Sequence, residues 1–167
     1  MNGFDPKNDW HIYELVWTPD FVAWRVDNKE VRRVKSEDPI VELTDKPQSV
    51  VMNFWTPVFE SWGKDLDAKD MPWTVEYDYV ETYTYCTKEN TFDFHWRDEF
   101  DTLDTKRWNV SDNKIFGGSS TTFRSSQVSV NDGNLVLTME PEQHDEHHME
   151  LFGEYPVEHT LPIMSMP

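Results

Sequence analysis

Residues 13–34, YELVWTPDFVAWRVDNKEVRRV, alternate apolar and polar side chains, with a turn signal breaking the alternation twice. Tyr13, Leu15 and Trp17 take every second place. TPD intervenes, Val22, Trp24 and Val26 resume the pattern, and DNK intervenes again. A period of two puts successive side chains on opposite faces of a pleated chain, so this stretch predicts strand, turn, strand, turn, strand. Asn28 supplies a residue tolerant of the positive φ that a tight hairpin demands. The same logic extends along the chain. SVVMNFW (49–55) is a short apolar run, expected to be a strand buried on both faces. TVEYDYVETYTY alternates over a long span, with Val75, Tyr77 and Tyr79 on one side and Glu76, Asp78 and Val80 on the other. QVSVNDGNLVLTM reads as a hairpin around Asp132-Gly133. No segment sustains a 3.6-residue period, so helix is expected to be scarce. Regular strand spacing with turn punctuation points to an all-β sandwich or jelly roll rather than a βαβ fold.

Composition narrows the function classes. The 167 residues suffice for one domain with a real core. A net charge of −17 argues against holding nucleic acid or an anionic membrane surface through basic patches. No apolar run is long enough to span a bilayer, and MNGFDPKNDW shows neither the basic start nor the apolar stretch of a signal peptide. The single cysteine, Cys86, excludes an internal disulfide framework and reads as a packed thiol. Aromatic residues make up 14% of the chain, with eight tryptophans, more than a plain core requires. Indole and phenol rings stack on the C–H faces of sugars, although most of the eight are expected in the core. The polar CTKENT (86–91) separates two strand-rich blocks and reads as a linker or exposed loop. Residues 141–167 form an irregular acidic, His-containing tail whose prolines block ladder pairing. Its His144 and His148 would converge on a metal only on a helix, which the segment does not signal.

The most chemical-looking stretch is WTVEYDYVETYTY (73–85), which carries Glu76, Asp78 and Glu81 in the spacing E-x-D-x-x-E. A retaining glycosidase needs two carboxyls about 5–5.5 Å apart, one to attack the anomeric carbon and one to protonate the leaving oxygen. On a regular strand Glu76 and Asp78 share a face, whereas Glu81 falls on the other unless a bulge intervenes.

The order of motifs DWHIYELVWTPDFVAWRVDNKEVRRV, VVMNFWTP…SWGKDL and WTVEYDYVETYTY resembles the C-terminal half of glycoside hydrolase family 16, the lichenases and laminarinases. FDFHWRDEFDTLDTKRWNV…TTFRSSQVSVNDGNLVLTME resembles the opening of the same domain. Here the two halves stand in reverse order, as in the circularly permuted branch of that family. Termini that lie close together can be rejoined by a short linker. The resemblance implies a partial, permuted, concanavalin A-like jelly-roll β-sandwich over residues 1–140. Residues 8–85 would form the C-terminal-half-like part, 86–91 the join and 92–140 the N-terminal-half-like part.

The family pattern also implies that residues 76–80 correspond to the last strand of the ordinary domain, not to the E-x-D-x-E catalytic strand. No catalytic residue is therefore assigned. The expected function is that of a β-glucanase domain for β-1,3-1,4- or β-1,3-glucan, incomplete and inactive as this chain alone. The alternative is a non-catalytic glucan-binding module or a structural subunit of a larger assembly. A complementary chain or segment would supply the absent strands, because removing interior strands leaves backbone groups unpaired. Asn53, Trp55 and Trp62 match cleft-lining positions, and Phe116, with Asn113, stands in shifted register in the loop after Trp108. His11 matches a family histidine at a strand start and reads as structural. The resemblance further implies a structural Ca²⁺ held by the Asp78 carboxylate and by the carbonyls of Glu99 and Gly133, an oxygen-only set that suits this ion. It also implies an extracellular location.

Overall fold

A computed structural model of the 167-residue chain describes residues 5–35, 48–57, 68–115 and 121–141. Ten strands are assigned among them, every pairing with a determined register is antiparallel, and the helical content is two short 3-10 turns, Ala68–Asp70 and Ser125–Gln127. The all-β expectation from the period-two patterning is met.

The chain forms two compact units, Met1–Gln48 with Tyr83–Phe94, and Ser49–Thr82 with His95–Pro167. In the first, β1 (Tyr13–Trp17), β2 (Phe21–Val26) and β3 (Lys29–Lys35) make a meander in that order. The TPD turn is held by Thr18, whose hydroxyl donates to the Phe21 carbonyl (3.1 Å) and accepts from the Asp20 and Phe21 amides (3.3 and 3.2 Å). The DNK turn is a two-residue loop between the paired Val26 and Lys29, with Asp27 and Asn28 at φ 49° and 63°. Two successive positive φ values match the right-handed twist of the flanking strands. Trp24 faces Arg32 whereas Arg25 faces Glu30, so Val31 is an extra residue at a bulge. Val22 and Val34 are buried, with Trp17 and Trp24 packed against them.

β5 (Val80–Cys86) and β6 (Thr91–Asp98) form a hairpin whose tip belongs to the first unit. Residues 87–90 are its turn, so most of CTKENT is a hairpin turn, with Asn90 at φ 54° accepting from the Tyr85 hydroxyl. Tyr83 meets Phe94 edge to face at 5.8 Å and Tyr85 meets Phe92 at 5.0 Å. Such aromatic pairs contribute about 0.5–1.5 kcal/mol each beyond burial.

In the second unit, β10 (Asn134–Met139) lies between β4 (Trp73–Tyr77) and β9 (Val128–Asn131). The β9–β10 loop is Asp132-Gly133, at φ 50° and 80°, the hairpin read from NDG. Leu135, Leu137 and Met139 are buried at every second place of β10. Leu135 and Leu137 join Met52, Phe100 and Trp108 in the core, with Val75, Tyr77, Val80 and Trp96 packed around them. Phe100 is fully buried at φ 52°, and Asp98 Oδ1 accepts its amide at 3.0 Å. That hydrogen bond and the ring's burial offset the cost of a left-handed, non-glycine backbone. A short pair, β7 (Lys114–Ile115) with β8 (Thr122–Phe123), completes the described strands.

Two strand expectations are corrected. Residues 49–55 carry no strand assignment, and they are not buried on both faces. Val50, Met52 and Phe54 face the core, whereas Val51 and Asn53 are exposed. An apolar run cannot by itself reveal whether a neighbour covers its second face, and among the described residues this segment has no ladder partner. The alternation of residues 73–85 is likewise broken at Asp78-Tyr79, between β4 and β5. Val80 therefore packs on the core beside Val75 and Tyr77, instead of on the opposite side.

Candidate functional site

The three carboxylates of EYDYVE do not converge. Glu76 is exposed on β4 and accepts from Asn134 Nδ2 at 3.2 Å. Asp78 is exposed in the break after β4, with no side-chain partner among the described residues. Glu81 is half-buried on β5 and pairs with Arg97 at 3.2 Å. The Arg97 guanidinium also binds Glu99 at 2.6 Å and lies 3.6 Å from the centre of the Tyr79 ring. A carboxylate whose oxygen is taken up by a guanidinium has that lone pair committed and is held in place by its partner, which leaves it less free to attack or to share a proton. The spacing that draws attention in the sequence thus resolves into a ladder residue, a break residue and an ion pair.

The residues matched to a cleft lie elsewhere in the second unit. Met52 and Phe54 anchor the 48–57 segment on the core, leaving Asn53 exposed and Trp55 half-buried outside that core cluster. The segment's end is tied down through Thr56, whose amide donates to the Thr121 hydroxyl at 3.2 Å and whose own hydroxyl lies 3.0 Å from it. An exposed amide next to a partly open indole, on a backbone fixed from behind, can bind a hydroxyl and stack on a C–H face at once. Trp62 and Phe116 lie outside the described residues. Asn113, at φ 50°, is exposed just before β7.

The loop beside that segment is braced by Asp112, whose Oδ1 accepts from the Ser125 amide (2.8 Å) and hydroxyl (3.0 Å). These two bonds, the amide's first, hold the Asp112 carboxyl below its ordinary range. A group whose pKa is depressed by folding adds stability above its unfolded pKa, and that stability is lost as pH falls through the folded value. The stability gap between wild type and Asp112→Asn, from urea midpoints, is therefore expected to be larger at pH 7 than below about pH 4, the ordinary carboxylate range. An unchanged gap would assign the loop's order to something else.

In the first unit, His11 Nδ1 lies 2.9 Å from Asp27 Oδ2, and the Ile12 amide donates to Asp27 Oδ1 at 3.0 Å. His11 thus ties the β1 lead-in to the β2–β3 turn, a structural role. The backbone bond from Ile12 first, then His11, keeps the Asp27 carboxyl below its usual range.

Of the positions matched to calcium, Asp78 and Gly133 stand at one end of the β4–β10 ladder, since Tyr77 faces Leu135. Gly133 occupies the neighbouring turn, and Glu99 immediately precedes the buried Phe100. Glu99 spends its carboxylate on Arg97, so only its carbonyl is left to offer. The Asp78 carboxylate is exposed next to the Asp132-Gly133 turn, and among the described residues no group of three or more His, Cys, Asp or Glu side chains is placed to hold a metal ion.

Comparison with known proteins agrees with this frame. The family model for glycosyl hydrolases family 16 matches residues 1–81. A beta-glucanase of Fibrobacter succinogenes is 31% identical over 133 residues, 77% of this chain and 37% of that protein. The chain belongs to glycosyl hydrolase family 16. A second family relative, a beta-glucanase of Acetivibrio thermocellus, is 33% identical over 82 residues, 48% of this chain and 23% of its own length. The glucan endo-1,3-beta-glucosidase A1 of Niallia circulans is 31% identical over 85 residues, covering 46% of the chain and 12% of the relative. This family 16 chain therefore spans little more than a third of the length of the first relative and less of the others. Its all-β, antiparallel architecture is consistent with the family's jelly-roll sandwich. Among the described residues no helix is long and apolar enough to cross a membrane.

Proposed function

We propose that this chain is the glucan-holding part of a β-glucanase domain, acting on β-1,3-1,4- or β-1,3-glucan and not cleaving it through the residues described. One contrast carries the reading. Glu76 and Glu81 are engaged by Asn134 and Arg97, while Asn53 is open to solvent beside Trp55 on a core-anchored segment. Retaining hydrolysis requires two free carboxyls facing each other across the bond to be broken, which this arrangement does not offer. The names of the relatives, beta-glucanase and glucan endo-1,3-beta-glucosidase, support the substrate class.

Affinity electrophoresis in gels containing barley glucan or laminarin, with a reducing-end assay alongside, tests this. Retardation without new reducing ends is expected, and Trp55→Ala should weaken retardation by roughly tenfold or more, the scale of a lost aromatic platform and its buried area. New reducing ends from this chain alone would return Glu76, Asp78 and Glu81 to candidacy. A second reading, a structural subunit completed by another chain, draws on β1, where Tyr13 and Leu15 are 64% and 62% exposed. Absence of both retardation and hydrolysis, with a larger particle by light scattering, would favour it.

The permuted order of the halves is part of the same proposal. A match running over 77% of the chain with one relative, where the family model ends at residue 81, supports it. A structural Ca²⁺ on the Asp78 carboxylate and the Glu99 and Gly133 carbonyls would then brace the break after β4. The extracellular setting rests on the family resemblance.

A further inference from the structure

We infer, resting on the second reading above in which another chain completes this one, that β1 is the acceptor edge for a strand donated by that chain. β1 and β3 are the two outer strands of the first unit's meander, and they end the sheet differently. β3 carries five charged residues in seven and a bulge at Val31, the devices by which an edge discourages further pairing. β1, YELVW, has one charge and no proline, and its register with β2 runs without a bulge.

The ladder fixes which backbone groups β1 has left over. The Thr18 amide donates to the Phe21 carbonyl and the Asp27 amide to the Ile12 carbonyl, one at each end of the β1–β2 register. Hydrogen-bonded and non-bonded residues alternate along an antiparallel pair. Glu14 and Val16 therefore bond to β2, and the N–H and C=O groups of Tyr13, Leu15 and Trp17 point outward. Among the described residues these three have no backbone partner. They also share one face of the strand, where Tyr13 and Leu15 are mostly exposed. Open backbone groups supply hydrogen bonds to an added strand, and apolar side chains at every second place set its register. Glu14 adds a selection on the opposite face, because its Oε2 is shut from solvent without a hydrogen-bond partner. A buried acceptor without a donor is costly, so the donated strand should carry lysine, arginine or a side-chain amide beside it. A second copy of this chain fits less well. With Leu15 facing its own copy, the two Glu14 carboxylates become diagonal neighbours about 7–8 Å apart, and copies of net charge −17 repel. The Fibrobacter succinogenes beta-glucanase, matched over 37% of its length, holds family sequence that this chain does not match, and the donor is sought there.

Short overlapping peptides tiling the unmatched part of that beta-glucanase, added to the whole chain, test the assignment. Peptides that bind should alternate apolar and polar residues. They should slow amide exchange at Tyr13, Leu15 and Trp17 by about tenfold or more and leave β3 unchanged. Leu15→Pro removes one outward N–H at a position where edge strands accept proline, and it spares the bonds of Glu14 and Val16 to β2. It should weaken peptide binding about tenfold, the scale of one lost hydrogen bond. Undiminished binding in Leu15→Pro, or protection that falls elsewhere than β1, would overturn the edge assignment and leave the subunit reading standing. Protection of the same three amides in the chain alone, with a dimer by light scattering, would give the edge to a second copy and overturn it too. No bound peptide would overturn the inference, and with a monomer by light scattering it would take the subunit reading with it.

Discussion

Trp108→Ala should destabilise the second unit by about 3–5 kcal/mol, the range for removing a large aromatic side chain from a core. The residue is 3% exposed, meets Trp96 edge to face at 6.1 Å and Phe100 at 6.0 Å, and its Nε1 donates to Asp98 Oδ2 at 2.8 Å. Arg107 lies 4.4 Å from the Trp96 ring centre and 3.8 Å from the same Asp98 oxygen, so the alanine would unstack one wall of a charged and aromatic cluster. Trp108→Phe keeps much of the packing but removes the donor, and its cost should drop to about 1–3 kcal/mol. Denaturant unfolding, read by amide exchange on β9 and β10, distinguishes the two. Equal costs for Ala and Phe would mean that the hydrogen bond to Asp98 dominates and that the ring's packing contributes little.

Leu135→Ala is expected to cost about 2–5 kcal/mol. Leu135 is 2% exposed on the central strand of its sheet, where Tyr77 and Val130 face it from either side. The next residue, Val136, points to the other side and is half-buried, so Val136→Ala should cost clearly less. The contrast within one dipeptide tests the register directly, since a slip by one residue would exchange the two effects. The double substitution Trp108→Ala/Leu135→Ala should fall short of the sum, because both side chains border one cluster and the first cavity relaxes what the second would lose.

The parts of this fold that local chemistry controls were readable. DNK and NDG each place two successive residues at positive φ, and both became two-residue hairpins. The alternation of YELVW and FVAWRV became paired strands in register. What the pattern could not show is where alternation changes phase. Asp78-Tyr79 breaks the run because Val80 turns to the core, and Arg97, distant in sequence, gathers Glu81, Glu99 and the Tyr79 ring. The apolar run at 49–55 was read as buried on both faces because hydrophobicity marks a capacity for burial, not the presence of a neighbour. Asn53 and Trp55 entered as candidates through family resemblance, and the structure leaves the first open and the second partly so.

The sequence by itself determined the all-β class and the tight turns at DNK and NDG, since each depends on φ preferences and on a period of two within a few residues. Only the tertiary structure decided that Glu76 and Glu81 are engaged separately, by Asn134 and by Arg97, while Asp78 stays exposed between their strands. Such pairings join residues far apart in the chain, and no local pattern encodes those distances.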